Sequence, residues 1–107
     1  MTTPKNDHAA IWQLVLQLQK AGWNPTKISD PESVDVRGMS AKAIATLITS
    51  NYFSALLNFD KPEAEHHRKQ WVYFVLGNAP EEVACDYTVG NQEFDAIVTE
   101  ITESWDS

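Results

Sequence analysis

Carboxylates and imidazoles come closest together in this chain at Asp60, Glu63, Glu65, His66 and His67, with Lys61, Pro62 and Ala64 between them. These are donor types of a catalytic zinc or manganese site, and a bound metal would make the chain a small metal-dependent hydrolase by activating water. Such a site needs several donors converging at about 2 Å from one ion. Adjacent histidines point to opposite faces of an extended segment and lie about 100° apart on a helix, so His66 and His67 reach one ion only from an irregular loop. The spacing favours a polar connection instead. No metal or other cofactor is expected, and Glu63, His66 and His67 are the residues that would hold one.

Other reactive groups read as structural. Cys85 would need a neighbouring base to act as a nucleophile. Its place between Val83 and Tyr87 predicts a small buried hydrophobe on the inner side of a strand. His8 is isolated and predicted to sit on the surface of a first helical turn. No Gly-x-Ser-x-Gly elbow, phosphate-cradling glycine loop or Cys-x-x-Cys pair occurs, and Gly22, Gly38, Gly77 and Gly90 all fall at element boundaries. No catalytic residue is assigned.

Charge is the stronger signal. After Lys69 the chain has no lysine or arginine but carries Glu81, Glu82, Asp86, Glu93, Asp95, Glu100, Glu103 and Asp106. The last 38 residues are therefore −8, the first 69 hold 8 bases against 7 acids, and the sum is the net −7. The basic density of a nucleic-acid-binding protein is missing, so no direct nucleic-acid binding is expected. Arg68 and Lys69 are too few to carry a duplex. An acidic mimic of nucleic acid, an inhibitor of the kind a mobile element uses against host defences, is an alternative. Glu93 and Glu100 would sit roughly 10 Å apart along a helix axis, which does not match successive phosphates on a strand.

The elements that position these groups follow from periodicity. Ile11, Leu14, Val15 and Leu18 predict a helix over about 8–21, capped by Asp7 and stopped at Gly22. Asp30 and Pro31 predict the turn of a short hairpin at about 26–37. Ser40 caps a second helix, 41–50, with Ala41, Ile44, Leu47 and Ile48 on its apolar face. A strand at 52–59 places Phe53, Ala55, Leu57 and Phe59 on one side. Trp71 to Leu76 is apolar throughout, the pattern of a central strand covered on both faces. Val83, Cys85, Tyr87 and Val89 alternate as a last strand. Asn91 caps a helix over 92–105, with Phe94, Ile97, Val98, Ile101 and Trp105 inward and Glu93, Glu100 and Glu103 outward. Of the four tryptophans, Trp12, Trp71 and Trp105 are predicted to pack in the core. Trp23, in a loop, is the best candidate of the four for an exposed anchor, but it is expected to cap the core edge.

The order is α-β-β-α-β-β-β-α. Short connections favour antiparallel neighbours, so residues 7–107 form a single α+β domain with helices packed on a mostly antiparallel sheet, after a flexible N-terminus at 1–6. A chain of 107 residues with 43% hydrophobic content can bury one core. One cysteine cannot make an internal disulfide, and the longest apolar run is far too short to span a bilayer. The first residues lack the apolar run of a signal peptide. A cytoplasmic chain without membrane contact is expected.

The stretch Trp71 to Thr88 runs from a strand ending Leu76-Gly77-Asn78 through a Pro80-Glu81 turn to a strand ending Asp86-Tyr87, and Ala21 to Pro25 precedes it. It resembles small uncharacterised proteins of bacterial and prophage origin. The resemblance implies a cytosolic protein of a mobile element, with an accessory role against host defences, and carries no activity. The leading expectation is a non-enzymatic protein-binding or accessory protein. Its acids Glu81, Glu82, Glu93, Glu100 and Glu103 meet the basic surface of another protein. A homodimer through a strip near Tyr52, Leu56 or Trp23 competes with a monomer.

Overall fold

Apolar periodicity begins in each helix next to a residue whose side chain can accept a backbone N–H. In the computed structural model, which describes residues 4–105, Asn6 accepts from Ala9 N at 2.8 Å and starts α1, Asp7–Lys20. Asp7 is thus in the first turn rather than at the cap, where its Oδ2 accepts from Gly77 N at 3.1 Å. Ser40 caps α2, Ala41–Asn51, through Ala43 N. Asn91 does the same for α3, Gln92–Trp105, through Phe94 N at 3.0 Å. Of the N-terminal residues expected to be loose, 1–3 lie outside the described residues, as does Asp106.

The strands are β1 (Asn24–Asp30), β2 (Val34–Asp35), β3 (Ser54–Asp60), β4 (Lys69–Val75) and β5 (Ala84–Tyr87), with a short 3-10 turn at Pro80–Glu82. They form one antiparallel sheet in the order β2-β1-β3-β4-β5. The element order and the α+β class are those expected from the sequence. No helix among the described residues is long and apolar enough to cross a membrane.

All three helices lie on one face of the sheet. Ile28, Ala55, Leu57, Phe59, Val72 and Phe74 point into that layer and are buried, while the residues between them are not. The thinnest dimension, 20 Å, is that of one helical layer on one sheet. α1 is the middle helix, packed against both α2 and α3. α3 runs antiparallel to α1: its first turn lies by Trp23 and its last by Gln13, whose Oε1 accepts from Trp105 Nε1 at 3.1 Å.

Four expectations need correction, each for a tertiary reason. β4 is covered on one side only, so Trp71, Tyr73 and Val75 are half-buried on the open face with Leu56. β3 starts at Ser54, which leaves Phe53 outside the sheet and 93% exposed. Trp12 faces outward from α1 at 38% exposure, beneath Lys42 Nζ at 5.4 Å from its ring, and His8 packs edge-on against it and bonds Thr46 Oγ1. In β5, Tyr87 pairs with Val72 and Asp86 with Tyr73, but Phe74 pairs with Ala84. Cys85 is the extra residue of that bulge, and the alternation slips by one. Cys85 is therefore exposed, and so is Val89.

Candidate functional site

The acids of α3 separate into two sets once their partners are traced. Trp23 is fully buried and its indole Nε1 donates to Glu93 Oε1 at 3.1 Å. Lys61 Nζ donates to the same oxygen at 2.6 Å and to Ala21 O at 2.9 Å, and lies 5.8 Å from the Trp23 ring centroid. Phe94, next to Glu93, meets the Trp23 ring edge-on at 5.0 Å. This clasp ties the end of α1, the β3–β4 connection and the start of α3 together. Glu93 also suits the positive end of the α3 macrodipole. Asp95 turns inward as well, accepting from Thr99 Oγ1 at 3.3 Å, and Thr99 bonds the Tyr87 hydroxyl at 2.8 Å.

Glu100 and Glu103 are exposed on the outer side of α3, one turn apart. Glu81 is half-buried and Glu82 exposed in the 3-10 turn, which packs near α1. Beside Glu100 lies a groove of about 290 Å³ between α1 and α3, with Ala21, Ile97 and Ile101 along its floor and Gln17, Lys20 and Glu100 on its rims. Ile97 is the one residue of the α3 apolar stripe left half-buried; Phe94, Val98, Ile101 and Trp105 are 7% exposed or less. The sequence groups Ile97 with the core because nothing in it shows that α1 ends opposite this position.

Glu63, Glu65, His66 and His67 are exposed and line a separate cleft of about 540 Å³ with Asn91 and Gln92. The loop is held by its backbone. Gln70 Nε2 donates to His67 O at 2.9 Å, Asn91 Nδ2 to His66 O at 3.1 Å, and Lys61 N to Arg68 O at 2.9 Å. His67 has φ 52°, and its ring lies so near Gly90 that a Cβ there would come within 3.2 Å of it. Among the described residues, no group of three or more His, Cys, Asp or Glu side chains is placed to hold a metal ion. Gln70, though polar, is buried in β4 opposite Phe59.

Two further features escape a reading of the sequence. Lys27, Arg37 and Lys69 gather on the open side of the sheet around a cleft of about 340 Å³ that Asn58 and Asp60 also line, although they are 42 residues apart in the chain at most. Asp60 in that cleft and Asp35, 3.7 Å from Arg37, keep it close to neutral. Tyr52 donates to Glu32 Oε1 at 2.8 Å. This hydrogen bond to a carboxylate, with desolvation and the charge of Glu32, raises the Tyr52 phenol above the usual tyrosine value. Trp23 is fully buried, in line with a place at the core rather than an exposed anchor, and of the strip expected to mediate a homodimer only Tyr52 and Leu56 keep any exposure. Comparison with protein-family models, with curated proteins and with solved structures finds no match to this chain.

Proposed function

We propose that the chain is a non-enzymatic protein-binding protein that meets a basic surface of another protein through the outer side of α3. The observation that carries this reading is the exposure of Glu100 and Glu103 on a helix that holds no lysine or arginine. Glu103, in the last turn of α3, opposes the helix macrodipole at a cost of about 0.3 kcal/mol, the low end for an exposed acid. Used on a partner, the charges of Glu100 and Glu103 steer encounter and favour a basic surface over an acidic or phosphate-bearing one. Glu81 and Glu82 extend the negative field as a secondary contact. Glu93 contributes to the field but is committed to the clasp.

Association with partners recovered from a lysate tests the reading when the wild-type chain is compared with a Glu100→Gln, Glu103→Gln double variant. Glu93 is left intact so that the fold is not disturbed. The expected result is a several-fold slower association and a shallower dependence on salt, with dissociation nearly unchanged. Unchanged association with every recovered partner would make α3 a solubilising surface and nothing more.

A further inference from the structure

The acidic helix and the groove beside it form one surface, and the inference drawn from that surface rests on the reading above. We infer that the groove between α1 and α3 receives an apolar side chain from a basic amphipathic helix of the partner protein, whose lysines or arginines meet Glu100 and Glu103. Charge alone does not choose a site, but here it adjoins an apolar opening. α1 ends at Lys20, Ala21 is small, and the chain turns away at Gly22, φ 93°, to enter β1. Ile97 is therefore only partly covered at the end of α1, although it lies in the same stripe as four buried residues.

Two antiparallel helices with such a gap offer the seat that a third helix fills, its side chains passing between theirs at positions i, i+3 or i+4. The rims set the polarity of that helix. Glu100 faces the partner from α3, so its bases belong on that side. Lys20 faces it from α1, so a base on the other side is disfavoured. The carbonyl end of α1 adds a partial negative charge at the same end of the groove. An acidic helix of the same shape meets Glu100 and Glu103 as like charges.

Three synthetic helical peptides test this with the full chain. One has leucine at i, i+3, i+4 and i+7 and lysine elsewhere. The second replaces its lysines by glutamate. The third keeps the lysines and replaces the leucines by glutamine. Titration calorimetry at low and moderate salt, with amide chemical-shift mapping, gives the affinities and the site. The first peptide is expected to bind, with the largest shifts at 17–21 and 97–101, and the other two to bind at least tenfold more weakly. Ile97→Gln should weaken the first peptide about tenfold, and Glu100→Gln about threefold. Lys20→Gln should tighten it about twofold. The Lys20 and Glu100 variants alter exposed side chains and keep the test open should Ile97→Gln unfold the chain.

Equal binding of the first and third peptides, with Ile97→Gln without effect, would overturn the groove and leave the acidic-surface reading standing. Equal binding of the first and second, with Glu100→Gln without effect, would overturn both. No binding of the first peptide, or shifts mapping elsewhere, would overturn the groove.

Discussion

Removing the Glu93 carboxylate should destabilise the fold far more than removing any other acid of α3. The Trp23 indole is fully buried and Glu93 Oε1 accepts its N–H at 3.1 Å, so Glu93→Ala leaves a buried donor unpaired. That costs about 1–3 kcal/mol. The Lys61–Glu93 ion pair is worth less, because half of the Glu93 side chain is exposed (51%) although Lys61 is 18% exposed. An exposed pair contributes about 0.2–1 kcal/mol after screening by solvent. Loss of a negative charge in the first helical turn adds about 0.3–1 kcal/mol. The three together give about 1.5–5 kcal/mol. Glu93→Gln keeps an oxygen for the indole and should cost only about 0.5–2 kcal/mol, the charge-dependent part.

Urea denaturation, with the slope m checked for constancy, reads these values directly. For a domain of this size each kcal/mol also lowers Tm by roughly 4–8 °C. A cycle with Trp23→Phe isolates the hydrogen bond, since phenylalanine has no donor. In that background Glu93→Ala should lose about 1–3 kcal/mol of its effect. If Glu93→Ala costs no more than Glu100→Ala, or if the cycle shows no coupling, the clasp is not what holds the α1, β3–β4 and α3 junction.

Tyr52 gives a pH signature. Its phenol is raised above its unfolded value, so it keeps its proton in the folded chain to higher pH than in the unfolded one. The stability this contributes is complete at neutral pH and is lost as pH rises past the unfolded tyrosine value of 10.0 and through the folded one. Tyr52→Phe should flatten that alkaline decline in urea midpoints, and ultraviolet titration should show one late-ionising tyrosine. Cys85 should react with a disulfide reagent in the native chain at nearly its rate in urea, because the β5 bulge turns it to solvent; slow native reaction would mean the strand alternates without a bulge. Gly22→Ala should cost about 1–2 kcal/mol in the same denaturation assay, since a side chain there is strained at positive φ. Its Cβ would also come within 3.3 Å of Lys61 Cε.

What could be read from the sequence was what depends on neighbours along the chain. Ser40 and Asn91 cap their helices because the accepting oxygen and the donating N–H are three residues apart, and the α3 stripe follows from one period. The element order comes from the same local rules. Burial on the second face of a strand is different. Trp71 to Leu76 is apolar enough to be central, but among the described residues the helices cover one side of the sheet and leave the other open. A bulge is equally invisible, since Val83, Cys85, Tyr87 and Val89 alternate whether or not an extra residue shifts the pairing. Trp23 and Glu93 are 70 residues apart, and only the packing of α3 against the end of α1 gives them a common hydrogen bond.

That long-range contact also changes how the acidic third of the chain should be tested. A variant neutralising Glu93, Glu100 and Glu103 together would lose binding whether the outer surface meets a partner or the loss of the clasp merely loosens α3. The two causes separate because they act through different atoms. The Glu93 oxygen that matters is bonded to a buried indole and to Lys61, so its removal lowers stability with or without a partner present. Glu100 is exposed, so its conversion to glutamine should leave the urea midpoint within about 0.5 kcal/mol of wild type while slowing association. Glu93→Gln provides the converse, a measurable loss of stability with the outer side of the helix unaltered. A partner that senses Glu93→Gln only in proportion to the fraction unfolded, and the double variant at every temperature, binds the outer side of α3.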